Sequence, residues 1–122
     1  MHSEYLHGIA LFNSARFFDA HEVLEDVWRD AAADNKKFLQ GLIQLAVAFH
    51  HHSTGNAIGA CSLMHRAMRN LSSYAPEFGG IRLDILLKEV AAWPEALDHG
   101  STPPPLPRLE MSENRIPPSF LK

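Results

Sequence analysis

The amino-acid sequence predicts an all-α protein, a compact bundle of about five helices with an extended, proline-rich C-terminal tail. Five segments place apolar residues at the three- and four-residue spacing of an amphipathic helix. No segment shows the period-two alternation of a half-buried strand. Prolines are concentrated after residue 100, where they disfavour both helix and strand. We therefore divide the chain into a helical domain, residues 1–100, and a tail, residues 101–122, which we expect to pack on the body or on a partner subunit.

The helices can be placed from apolar periodicity and from residues that start or stop a helix. Asn13 and Gly55 are predicted to end the first and third helices, and Asn56 to cap the fourth. Pro76 and the pair Gly79-Gly80 end the fourth helix, and Pro94 should kink the fifth or split off its last turn. The predicted helices span roughly residues 3–12, 16–32, 34–53, 57–75 and 83–98, and Asp34 or Asn35 is the expected N-cap of the third.

Composition restricts the classes of function. A chain of 122 residues suits one globular domain, and its formal charge of -3 comes without any basic stripe, so we expect no nucleic-acid partner. The longest apolar run, residues 42–49, is interrupted by Gln44 and is too short to cross a bilayer, so we expect no membrane partner. The N-terminus lacks the pattern of a signal peptide, and Cys61 is the single cysteine. These features predict a cytoplasmic protein.

A polar cluster on the second helix is the main functional candidate. On a helical wheel His21 falls between the apolar residues Phe17 and Leu24, so its imidazole is predicted to point inward. Glu25 lies one turn further along and flanks the same stripe, while Glu22 lies toward its edge. The third helix is apolar around most of its circumference, which predicts a central position. It nevertheless carries a narrow polar seam, which consists of Gln40, Gln44 and His51.

Three interpretations of these residues remain open. The first is a structural hydrogen-bond network that holds the helices in register. The second is a small-molecule or catalytic site, in which His21 is the acid-base group and a carboxylate orients it. The third is a metal site of His21, Glu25 and a histidine such as His51, because His21 and Glu25 have the i, i+4 spacing of a zinc-protease motif. No phosphate loop or dinucleotide fingerprint occurs, and we expect no cofactor.

Three blocks of the sequence resemble the signature of the DUF309 family. The resemblance covers roughly residues 12–71. It implies a compact all-α domain, and the family name itself records an unknown function. Ala15 stands where the family pattern has glycine, which argues against a left-handed turn there, and Asp19 stands where the pattern has glutamate. The matching blocks are Phe12-Asn13 with Phe17 to Glu25 and Trp28-Arg29, then Phe38 to Ala46, then Gly55-Asn56 with Gly59-Ala60. The family's polar motif positions are His21, Glu22, Glu25, Gln40, Gln44 and Asn56.

The leading hypothesis is a helical domain of unassigned function, in which the His-Glu-Gln cluster forms a ligand pocket or a structural network. The contrasting hypothesis is a metal-dependent, hydrolase-like enzyme that uses His21 and Glu25. A further alternative is a homo-oligomeric assembly module. The expected partners are a small molecule or a second copy of the chain.

Overall fold

The computed structural model describes residues 3–74, 76–112 and 116–121. Within these ranges the protein is all-helical apart from one very short hairpin, so the predicted fold class is confirmed. In chain order the elements are α1 (Glu4–Asn13), α2 (Phe17–Arg29), α3 (Ala33–Ser53), α4 (Ala57–Leu71), β1 (Glu77–Phe78), β2 (Ile81–Arg82), α5 (Leu83–Asp98) and a 3-10 helix (Pro118–Phe120).

Helix α3 lies at the centre of the bundle, as its apolar circumference predicts. It packs on α2 at one side and on α4 at the other, while α1 covers α2 and α5 covers α4. Close contact with α4 depends on Gly41, because a Cβ atom there would lie 2.6 Å from the Leu71 Cγ. The buried residues of α3 are Asn35, Phe38, Leu39, Gly41, Leu42, Leu45, Ala46, Ala48 and Phe49.

The predicted N-cap of α3 is wrong by two or three residues. The helix begins at Ala33, and its N-cap is Ala32, which has no side-chain acceptor for the first amide groups. Asp34 and Asn35 therefore lie in the first turn. The Asn35 side-chain amide is buried and donates to the Ser119 hydroxyl at 3.0 Å. The side chain that was expected to cap the helix therefore forms a tertiary hydrogen bond instead.

Helices α1, α3 and α5 all end in a Schellman motif, in which the residue after the C-cap is left-handed. In α3 that residue is Gly55 (φ 85°), and in α5 it is Gly100 (φ 63°). In α1 it is Ala15 (φ 61°), and the Arg16 amide donates back to the Leu11 carbonyl at 2.9 Å. Ala15 is therefore left-handed, contrary to the prediction, since the hydrogen-bonded helix end imposes this conformation on alanine as well.

A two-stranded hairpin was missed by the sequence analysis. Strands β1 and β2 are antiparallel, with Phe78 opposite Ile81, and Gly79-Gly80 form the two-residue turn between them. Both glycines have positive φ, 59° and 78°, as tight hairpin turns require. Strands of two residues are too short to show alternation, and the glycine pair was taken only as a helix stop.

The C-terminal tail packs on the helical body. The Asn13 side chain donates to the Leu109 carbonyl at 3.2 Å and accepts from the Leu109 amide at 2.7 Å. The tail then runs beside β2, where the Arg82 amide donates to the Glu110 carbonyl and Met111 pairs with Ile81. Phe120 is 3% exposed and packs on the rings of Tyr5, Phe38 and Phe78.

Helix α5 continues through Pro94 to Asp98, so the proline does not split off the last turn. Trp93, just before it, is buried against Phe49. Among the described residues, no helix combines the length and the apolar character needed to span a membrane.

Candidate functional site

His21 lies at the surface edge of the interface between α2 and α3, outside the hydrophobic core. The buried residues of α2 are Phe17, Ala20 and Leu24, while the His21 side chain is 19% exposed. The predicted inward direction was off by part of a turn because α2 also packs on α1, where Leu24 contacts Gly8. This second neighbour turns the core-facing stripe toward Ala20 and leaves His21 beside the α3 edge.

The polar side chains of α2 are linked mainly to one another. The His21 Nδ1 lies 2.6 Å from the Phe18 carbonyl oxygen, which can only accept, so Nδ1 is the donor. The Nε2 lies 3.6 Å from one Glu25 oxygen, and the other Glu25 oxygen lies 3.8 Å from Arg29. Arg29 also bridges to Asp26. These side chains therefore pair with one another along one helix, and the single cation Arg29 is shared by the two carboxylates Glu25 and Asp26.

An open groove of about 350 Å³ lies between α2 and α3. The α3 wall carries two amide side chains and one aliphatic side chain. The α2 wall carries charged and aromatic side chains. The Trp28 indole is half-buried, its N–H is buried without an acceptor among the described residues, and the Lys36 ammonium lies 4.4 Å from its ring centroid. The lining residues are Glu25, Trp28, Arg29, Gln40, Ile43 and Gln44.

The structure brings three of the predicted site residues together in this groove: Glu25, Gln40 and Gln44. Gln40 is exposed, whereas Gln44 is half-buried and its oxygen accepts from the Asn70 amide of α4 at 2.8 Å. Within the described residues no hydrogen bond joins the α2 cluster to either glutamine. Among the described side chains, the Gln44–Asn70 hydrogen bond is the one that joins Glu25, Gln40 or Gln44 to another helix.

Glu22 and Asn56 lie outside the groove. Glu22 is exposed on α2. Asn56 is the N-cap of α4, as predicted, because its side-chain oxygen accepts from the Gly59 amide at 2.9 Å. Its amide nitrogen lies 3.3 Å from the His51 Nδ1. Asn56 therefore has a structural role at the turn between α3 and α4.

The predicted metal ligands do not converge. Only His21 and Glu25 are neighbours, and His51 is engaged with Asn56 at the end of α3. Across the described ranges, no three His, Cys, Asp or Glu side chains are grouped so that they could hold a metal ion.

Three residues of the groove were not predicted as site residues, namely Trp28, Arg29 and Ile43. Trp28 and Ile43 are apolar residues of helices whose apolar side was predicted to be buried in the core. Both are half-buried and line the groove between the two helices. The available signal was that Trp28 and Arg29 stand in the same signature block as His21 and Glu25.

A second, smaller cavity of about 150 Å³ lies between α1, α2, the start of α3 and the tail. Tyr5, Leu39 and Phe120 form its apolar wall, and Asp26 and Asp30 are among its polar residues. Burial of Tyr5 raises the pKa of its phenol well above the usual range, so the hydroxyl stays protonated and donates to the Gly79 carbonyl. None of the predicted site residues lines this cavity.

Comparison with known proteins gives a matching family model and uncharacterized relatives. A family model described as "Domain of unknown function (DUF309)" matches residues 5–63. The "Uncharacterized protein YpuF" of Bacillus subtilis (strain 168) is 38% identical over 71 residues, which are 57% of this chain and 41% of that protein. An "Uncharacterized protein" of Aquifex aeolicus (strain VF5) is 33% identical over 73 residues, 59% of this chain and 22% of that protein.

The match thus spans less than half the length of either relative. The matched segment contains α2, α3 and every residue that lines the groove. Residues 5–63 are therefore similar to DUF309, a domain family of unknown function.

Proposed function

We propose that this helical domain is a binding module whose α2–α3 groove holds a small, neutral, planar molecule with a hydrogen-bonding edge, such as a nucleobase or nucleoside. The observation that carries the proposal is the combination of one aromatic ring with two glutamine amides in a single groove. The volume, about 350 Å³, lies in the range of small-molecule sites.

The charges around the groove favour a neutral ligand. Glu25 has His21 and Arg29 as neighbours, and Arg29 also bridges to Asp26. Lys36 lies over the Trp28 ring and donates to the Arg29 carbonyl at 3.3 Å. A charged ligand would have to displace one of these partners, whereas a neutral one leaves them in place. Desolvation of an additional charge would also oppose binding.

The uncharged groups favour a planar molecule with donors and acceptors on its edge. Trp28 and Ile43 offer an aromatic and an aliphatic surface, against which a flat ring can bury apolar area. Each glutamine amide carries both donors and an acceptor. Gln40 is exposed, so its amide can exchange water for a ligand edge, while Gln44 is held in position by Asn70.

Calorimetric titration with adenosine, guanosine, cytidine and uridine tests this proposal. We expect saturable binding of at least one nucleoside. Gln40→Leu should weaken it about tenfold or more, because a buried polar ligand edge then loses its partner. Lys37→Leu is the matched control, since Lys37 is exposed on the same helix but does not line the groove, and it should bind like the wild type.

The proposal is wrong if none of the four nucleosides binds, or if Gln40→Leu and Lys37→Leu bind with equal affinity. The circular dichroism spectrum of each variant shows whether it is folded, and both substitutions are at exposed positions where little stability is at stake.

We also propose the cytoplasm as the site of action, on the basis of the single cysteine, Cys61, whose side chain is a free thiol in the structure. Fractionation of cells that express the tagged protein tests this, and recovery in the membrane or secreted fraction would contradict it.

A further inference from the structure

One broad side of the bundle is left uncovered by the described elements, and we call it the open face. Its centre is the outward side of α3, where Gln40 is exposed and Val47 is half-buried. Its two edges are the adjoining sides of α2 and α4. The open face consists of Gln40, Ile43, Gln44 and Val47 of α3, Phe18, Glu22 and Glu25 of α2, and Leu63, Arg66 and Asn70 of α4.

Contacts between the helices identify the two edges. On the α2 side, the Phe18 ring lies 5.3 Å from the His50 ring, and Lys36 lies over Trp28. On the α4 side, Asn70 bonds to Gln44. Arg66 is one turn before Asn70 on α4 and so lies on the same edge of that helix.

The two edges carry opposite charges without partners. Glu22 on the α2 edge and Arg66 on the α4 edge are both exposed. Neither forms an ion pair with any residue that the structure describes. The open face is therefore acidic at one margin and basic at the other, with apolar side chains between them, and Phe18 is 50% exposed.

Glu22 and Arg66 lie at nearly the same level along α3. Helix α2 runs antiparallel to α3, and the Phe18–His50 and Trp28–Lys36 contacts place Glu22 level with roughly residue 45. Helix α4 is also antiparallel to α3, and the Asn70–Gln44 contact places Arg66 level with roughly residue 48. At 1.5 Å per residue, the two levels differ by about 5 Å, which is one helical turn.

This arrangement is self-complementary. A two-fold axis parallel to α3 in the plane of the open face places the α2 edge of one copy opposite the α4 edge of the other and keeps each level unchanged. We infer that the open face is the interface of a symmetric homodimer, in which Glu22 of each copy pairs with Arg66 of its partner and Val47 lies near the axis.

The size of the face predicts a weak dimer. Three helices at about 9 Å spacing and about 20 Å in length cover roughly 500–600 Å² per copy. The total of about 1,000–1,200 Å² is at the low end for specific interfaces, where association is transient. We therefore expect a dissociation constant in the micromolar range. The groove shares Glu25, Gln40, Ile43 and Gln44 with the open face, so a bound ligand and the partner copy compete for that end of the face. Glu22, Val47 and Arg66 lie outside the groove and belong to the dimer interface alone.

Sedimentation equilibrium of the full chain over a wide concentration range tests this inference by charge reversal. We expect wild-type protein to dimerise reversibly. Glu22→Arg and Arg66→Glu should each weaken the dimer about tenfold or more, because two like-charge contacts replace two ion pairs. The double variant Glu22→Arg/Arg66→Glu should regain most of the wild-type affinity, since it restores both pairs with reversed polarity.

Lys88→Glu and Glu89→Arg are matched controls, because both residues are exposed on α5, which forms no part of the open face, and both variants should dimerise like the wild type. Wild-type protein that stays monomeric at all concentrations would overturn the inference. So would single reversals that dimerise normally, or a double variant no tighter than the singles. Nucleoside titration is a separate measurement, so failure of the dimer and failure of the ligand proposal are distinguishable.

Discussion

Ala15 shows at the scale of one residue how the helix end determines backbone conformation. Its φ of 61° allows the Schellman motif to form at the end of α1. This left-handed conformation costs an L-residue about 1–2 kcal/mol. Glycine adopts it freely but loses more entropy on folding. We therefore expect Ala15→Gly to raise the free energy of unfolding by about 0.5–1 kcal/mol in urea denaturation. Gly55→Ala, at the equivalent position of α3, should lower it, and equal signs for the two variants would contradict this account.

Cys61 provides a residue-scale prediction about pH. Burial raises the pKa of its thiol, and the Asp98 carboxylate raises the pKa further by its charge and by hydrogen bonding. At pH 8 the thiolate fraction should therefore be smaller than in free cysteine, and alkylation by iodoacetamide correspondingly slower. Asp98→Asn removes the negative charge while keeping the side-chain size, so it should lower the pKa and speed alkylation. An unchanged rate in this variant would show that Asp98 has no influence on the thiol.

At the scale of elements, the contact between α3 and α4 depends on a glycine. A Cβ at position 41 would lie 2.6–2.7 Å from two Leu71 side-chain carbons. Gly41→Ala should therefore destabilise the protein by about 1–3 kcal/mol through overpacking. In a Leu71→Ala background the same substitution should cost much less, since the clashing atoms are gone. A double-mutant cycle in urea measures this, and a coupling energy near zero would show that the helices simply move apart.

The element scale also shows where sequence reasoning was sufficient. The five helices were predicted within a few residues, because each has a long apolar period and a recognisable stop such as Gly55. The hairpin was missed because strands of two residues carry no period. His21 is 19% exposed rather than fully buried, and one helical wheel cannot show this because α2 has two neighbours, α1 and α3, which together determine its buried side.

For the molecule as a whole, the tail contributes to the core. Phe120 is 3% exposed and packs among three aromatic rings, whereas its neighbour Leu121 is 41% exposed. Phe120→Ala should lower the free energy of unfolding by about 3 kcal/mol, and Leu121→Ala by about 0.5 kcal/mol or less. Thermal and urea denaturation of both variants measure the difference. Similar losses for the two would mean that the tail adds little to the stability of the body.

The candidate site was only partly predictable from the sequence. Gln40 and Gln44 were identified because polar residues on a mostly apolar helix stand out, and Glu25 because it lies one turn from His21. Trp28 and Ile43 were not, because an apolar residue gives no sign of whether it lies inside the core or at the rim of a groove. Glu22 and Arg66 lie at nearly the same level along α3. This depends on how α2, α3 and α4 are aligned, and the sequence of a single helix does not show that alignment.

The central claim is that the α2–α3 groove is the binding site, and two-dimensional NMR with nucleoside titration tests it most directly. The protein offers sharp reporters there in the side-chain amides of Gln40 and Gln44 and the indole N–H of Trp28. We expect saturable shifts that are largest for these groups. No shift with any nucleoside would contradict the account, and so would shifts centred on Asn35, Ser119 and Phe120 at the second cavity.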